Sequence, residues 1–174
     1  MAIFSFDERV PKIGKNCYIA ESAEVIGDVT IGDNCYIGPG AILRGDYGTI
    51  KIGNGTAVEE NAVIHIEPNG LSLIGNQVTI GHGAIIHCNK IDDYAVIGLG
   101  AILCFEVEIG EWAIVAEGAL VTRGQKIPPG KLVGGVPSKI IGDIKEKHKE
   151  FWVYGKQLYI NLAKKYPASL KRIG

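Results

Sequence analysis

Ile13-GKNCY-Ile19-AESAE-Val25-IGDVT-Ile31-GDNCY-Ile37-GPGAI-Leu43 places an aliphatic residue at every sixth position. The beat resumes after a short insertion with Ile52, Val58 and Ile64, and after a second with Ile74, Ile80 and Ile86. A five-residue step leads to Ile91, Ile97, Leu103, Ile109, Val115, Val121, Ile127 and Val133. A helix repeats its apolar face at about 3.6 residues and a plain strand at about 2, so six fits neither. It fits a hexapeptide coil, in which three hexads close one triangular turn. The position four after each rung is mostly small, as in Cys17, Ala23, Cys35, Ala41, Ala62, Ala84, Ala95, Ala101, Ala113 and Ala119. A tight inward corner has room for nothing larger. A β-sandwich would show alternation, not a sustained six-residue beat.

The expected fold class is therefore all-β, a left-handed parallel β-helix of about seven triangular turns with a C-terminal α-helix packed on its side. Residues 1–12 read as a lead-in, 13–138 as the coil and 139–174 as a helical tail. Phe151, Tyr154, Leu158, Leu162 and Tyr166 recur at steps of three and four with lysines between them, and read as a helix that folds back along the coil. Gly155 is expected to divide that helix and Pro167 to end it.

In 174 residues the net charge is -1, which gives no long-range field favouring nucleic acid or an anionic membrane. No apolar run is long enough to cross a bilayer, and the first residues lack the pattern of a secretory signal. The four cysteines are scattered, with no Cys-x-x-Cys pair. Cys17 and Cys35 fall in the small inward slot, as buried residues of a reduced, cytoplasmic protein would.

Counting in threes places the histidines. Leu43, Ile64, Ile86 and Leu103 are the sixth, ninth, twelfth and fifteenth rungs and share one face. The residues that follow them, Arg44, His65, His87 and Cys104, form an outward column with neighbours about 4.8 Å apart. His65 and His87 are adjacent in it and can converge on one ion at about 2.0–2.1 Å. His82 follows the eleventh rung, Ile80, on a different face. It can join the pair only from a neighbouring copy, and a heterologous contact of that kind closes under three-fold rotation. Three imidazoles with an open fourth position is the pattern of a catalytic metal. His148, among lysines of the tail, is assigned no role.

Arg44-Gly45-Asp46, Ala62-Val63-Ile64-His65 and Thr79-Ile80-Gly81-His82-Gly83-Ala84-Ile85-Ile86-His87 together resemble the γ-class carbonic anhydrase family, including the related ferripyochelin-binding group. The likeness runs along essentially the whole chain. It implies a homotrimer with a metal between subunits, held by His65 and His87 of one and His82 of the next. Zinc is the implied metal, with iron, cobalt or nickel as alternatives. The implied reaction is reversible hydration of carbon dioxide to bicarbonate, the metal lowering the pKa of its water toward about 7.

Arg44 and Asp46 match residues that bridge subunits and order the site, with Asp46 or a neighbour's Glu60 supplying a carboxylate to the guanidinium. Tyr159 matches a tail tyrosine that faces the metal. Two departures stand out. Glu59-Glu60 replaces the Gln-Asp of well-studied members, and the insertion 66–73 lacks their long acidic loop, leaving Glu67 as its carboxylate. Glu59 and Glu67 are the candidate proton carriers. Two rival readings remain. Gly135-Val136-Pro137-Ser138-Lys139 resembles a segment near the coenzyme A site of hexapeptide acyltransferases. A metal-binding trimer without turnover is the other.

Overall fold

The computed structural model describes residues 2–174 and is a parallel β-helix with three walls. On the first wall, Val25, Leu43, Ile64, Ile86, Leu103 and Val121 stack in register. On the second, Ile13, Ile31, Ile52, Ile74, Ile91, Ile109 and Ile127 do so. The third carries Ile19, Ile37, Val58, Ile80, Ile97, Val115 and Val133. Every rung except Ile13, at the open end, is buried. The small corner residues lie with them in one continuous core, although Cys17 is only half-buried. Thr56 is the polar exception. Its hydroxyl donates to the Gly75 carbonyl at 2.8 Å and accepts the Val78 amide at 3.1 Å, which satisfies the group despite full burial.

Side chains also tie the turns together along one edge. The amides of Lys15, Asp33, Asn54 and Asn76 donate to the side-chain oxygens of Asp33, Asn54, Asn76 and Asp93 on the next turn, at 2.7–2.9 Å. This ladder explains the glycine that follows each rung there. A Cβ on Gly32 would sit 2.5 Å from Asn54 Oδ1, and one on Gly75 2.3 Å from Asp93 Oδ1. Glycine is required by close approach, not by an unusual backbone angle.

The two insertions lie on each other. The strand Ile42–Ile52 runs unbroken across two walls, pairing with Val63–His65 at one end and Leu71–Ile74 at the other. The turn Glu67–Gly70 closes over it, with the Thr49 amide on the Gly70 carbonyl and the Asn69 amide on the Tyr47 carbonyl. The extra residues thus build a shelf beside Arg44, Asp46 and His65. At the N-terminal end Ala2–Phe4 pairs in parallel with Glu24–Ile26, so the lead-in already lies on the coil. At the other end Lys131–Gly134 and Lys139–Asp143 form an antiparallel hairpin over the last turn, with a cis Val136–Pro137 bond in its loop.

The tail is a single helix, α1 (Glu146–Ser169), uninterrupted at Gly155 and continuing past Pro167. Its 24 residues give about 36 Å of length, enough to descend most of the third wall. Of the apolar stripe, Leu162 and Tyr166 pack on the wall. Phe151, Tyr154 and Leu158 point outward, whereas Lys156 and Ala163 are buried and Tyr159 and Tyr166 pack on the wall. The cause is on the coil. Tyr18 and Tyr36 stand stacked on adjacent turns with ring centres 5.5 Å apart. Tyr166 meets Tyr18 at 4.7 Å and Tyr159 meets Tyr36 at 5.1 Å. This tyrosine cluster sets the helix's rotation, and Phe151, Tyr154 and Leu158 are turned away.

Candidate metal centre

Two clusters of polar side chains stand on separate walls. The first follows the strand register Arg44 to His65. His65 and His87 lie on consecutive turns, with ring centres 4.9 Å apart and planes at 76°. Phe105, on the turn beyond, lies 4.7 Å from the His87 ring. Arg44 Nη1 donates to Asp46 Oδ2 at 2.6 Å. The other carboxylate oxygen accepts the Tyr47 amide at 3.0 Å and lies 3.5 Å from His65 Nε2. Burial would raise the Asp46 carboxyl, but the Arg44 guanidinium and the Tyr47 amide overcome it and hold the pKa below the usual range. Within the chain, then, Asp46 is the partner of Arg44.

Burial lowers the pKa of both imidazoles, assisted by Arg44 at His65 and by His65 at His87. Both shifts favour the neutral form, the state in which imidazole binds a metal. His87 Nδ1 is buried with no hydrogen-bond partner in the chain, as is Glu67 Oε2 in the turn above. A buried nitrogen lone pair or N–H left unused carries a desolvation cost that a ligand would relieve. The donor set therefore fits a borderline divalent cation.

The second cluster surrounds His82. The register of Ile80 with Val58 places His82 over Glu60. His82 Nδ1 lies 2.5 Å from Glu60 Oε2, and Nε2 lies 3.1 Å from Glu59 Oε2. Tyr36 donates its hydroxyl to Glu60 Oε1 at 2.8 Å. Glu59 is buried, and burial raises its pKa against the opposing effects of Tyr159 and His82. Tyr159 presents its hydroxyl to Glu59, and its own pKa is raised by burial and then by that carboxylate. The His82 side chain itself is about half exposed, so one nitrogen can leave its carboxylate without repacking the core.

One chain therefore brings together His65, His87, Arg44, Asp46 and Glu67 in one place, and His82, Glu59, Glu60 and Tyr159 in another. Among the described residues no three His, Cys, Asp or Glu side chains converge as a complete cation site. Tyr36, which bonds Glu60, and Lys156, which bonds Thr79 on the strand leading to His82, were not among the expected residues. The available signal was helical spacing. Lys156, Tyr159 and Ala163 fall at i, i+3 and i+7 and share a face.

Residues 11–45 match the family model for the bacterial transferase hexapeptide (six repeats). The chain is 40% identical over 135 residues to a protein of Methanocaldococcus jannaschii named as a probable carbonic anhydrase, covering 78% of this chain and 85% of that one. It is 37% identical over 162 residues, 90% of its length, to gamma carbonic anhydrase 2, mitochondrial, of Arabidopsis thaliana. The chain belongs to the γ-class carbonic anhydrase family. It spans 58% of the length of the Arabidopsis relative. Among solved structures, a hexapeptide transferase family protein from Anaplasma phagocytophilum superposes with a TM-score of 0.89 at 33% identity, covering 95% of this chain and 98% of that one. Proteins named for different chemistries thus share this coil, and the side chains on its walls must carry the functional distinction.

Proposed function

We propose that the protein is a γ-class carbonic anhydrase acting as a homotrimer, with a metal held by His65 and His87 of one subunit and His82 of the partner subunit. One observation carries this reading. Two imidazoles lie 4.9 Å apart on one wall, one with an unused buried nitrogen, while the third candidate ligand stands on another wall. Zinc suits three imidazoles, and iron, cobalt or nickel would also be accepted. When bound, such a cation supplies Lewis acidity that makes water nucleophilic at neutral pH.

The chain's own groups account for the remainder of the work. Asp46, pinned by Arg44, faces His65 Nε2 and fixes the ring's orientation. Glu59, backed by Tyr159, lies where it can hold or receive a proton beside His82. Glu67 stands on the turn nearest the His65/His87 pair and is the carboxylate available to pass a proton outward. Carbon dioxide and bicarbonate are small enough to need no deep cavity. The four free cysteines suit a reducing compartment, which we take as cytoplasmic for this chain, although the Arabidopsis relative is mitochondrial. No helix among the described residues is long and apolar enough to cross a membrane.

Substituting His82→Ala and measuring metal per subunit with the hydration rate tests the proposal. Metal content is expected to fall at least tenfold, and the rate with it. Unchanged metal and rate would overturn the assignment. Coenzyme A binding by wild-type protein that takes up no metal would favour an acyltransferase. Stoichiometric metal without hydration, even with imidazole added as a proton carrier, would indicate a metal-binding trimer without turnover.

A further inference from the structure

The seam between α1 and the third wall holds a charge that the proposed reaction leaves unused. Lys156 is 1% exposed. Its Nζ donates to Thr79 Oγ1 at 3.0 Å and to the Ala95 carbonyl at 3.2 Å. That carbonyl already accepts the Thr79 amide at 3.0 Å. Both acceptors are neutral. The Trp152 ring of the same helix lies 5.8 Å away. Tyr159 is one helical turn further on, also facing the wall. Burial lowers the Lys156 pKa to about 7, and the one charge acting against that shift is Glu59.

As packing alone, this arrangement is poor. A methionine would fill the same length without removing an ammonium from water. The carboxylate of Glu59, 5% exposed, is likewise costly to bury. The two costs fall together if each group is the other's counter-charge. The connection is short: Thr79 pairs in register with Ala57, two residues before Glu59, and the Glu59 amide donates to the Ile80 carbonyl at 2.9 Å. Lys156 Nζ and the Glu59 amide therefore meet adjacent residues of one strand, Thr79 and Ile80.

We propose that Lys156 is a positioning residue for Glu59: anchored on Thr79 and the Ala95 carbonyl, it supplies the buried positive charge that allows this chain to keep a carboxylate beside His82. The role at the metal rests on the function proposed above. The coupling of the two side chains does not.

A double-mutant cycle separates the two claims, using Lys156→Met, Glu59→Gln and the double variant. The first readout is the thermal midpoint of the metal-free protein. Glu59→Gln strands the ammonium and is expected to lower the midpoint by several degrees. Adding Lys156→Met should recover at least half of that loss, whereas Lys156→Met in the wild-type background should not raise the midpoint comparably. Should Glu59→Gln alone fail to fold, recovery of soluble protein in the double variant gives the same reversal. The second readout is zinc affinity by chelator competition. Removing the negative charge should weaken zinc binding roughly tenfold, removing the positive charge should strengthen it, and removing both should return it to within about threefold of wild type. A merely structural lysine would not move affinity in opposite directions. Equal effects of Lys156→Met on the midpoint in both backgrounds would overturn the proposal. Wild-type protein that takes up no zinc would refute the metal reading, while the thermal cycle would still decide the coupling.

Discussion

The coil and the helix seam are built on opposite plans. Inside the coil, each aliphatic rung rests on a like rung above and below, so the same contact is made turn after turn. Along the seam nothing repeats. Tyr18, Tyr36, Tyr159 and Tyr166 interlock once, and Lys156 is anchored once, on Thr79 and the Ala95 carbonyl. A repeated contact gives rigidity that tolerates little local change, because neighbouring turns share every rung. A contact made once can be specialised, and the seam carries Lys156 and Glu59, two of the buried charged side chains. The two walls that present the candidate ligands divide the same way. His65 and His87 stand on consecutive coil turns, whereas His82 stands where coil, carboxylates and helix meet.

The contrast predicts a ranking of mutational effects. Ile97→Ala, in the middle of the third wall, should cost about 2–5 kcal/mol in urea unfolding, since a fully buried rung leaves a cavity its neighbours cannot close. A loss below about 1 kcal/mol would show that the turns relax independently. Acid should act next. His65 and His87 have folded pKa values below the ordinary 6.5, so the unfolded chain takes up protons first. Their contribution is fully present above about pH 6.5 and is lost as pH falls through that value toward the folded ones. The urea midpoint of metal-free protein should therefore drop between pH 7.5 and 5.5, and His65→Asn/His87→Asn should flatten that drop. Leu158→Ala should matter least. It lies on the outward stripe of α1 and should change stability by no more than about 0.5 kcal/mol. A larger loss would mean that the stripe is covered in solution.

The same contrast explains which features could be read from the chain. The coil was legible because one rule generates every turn, and counting hexads also placed His65 beside His87 and His82 on a different wall. The seam was not. Phe151, Tyr154 and Leu158 mark the most apolar helical stripe, yet the partner surface already held the Tyr18 and Tyr36 rings, and it selected the face with Lys156, Tyr159 and Ala163. Helical periodicity reports which faces are apolar, not which one finds a complementary wall. Lysine at a buried position also contradicts its usual exposure, so Lys156 gave no warning. Gly155 misled for a related reason: packing along the coil sustains a helix that local propensity would interrupt.

The central claim is that each site needs two copies of the chain. Co-refolding equal amounts of His82→Ala and His65→Ala/His87→Ala, followed by measurement of metal per subunit, tests it most directly. Each variant alone should bind essentially no metal. Random mixing leaves one interface in four with all three histidines, so the mixture should recover about a quarter of the wild-type metal content. A mixture as empty as its components, or His82→Ala alone retaining its metal, would contradict a centre shared between subunits.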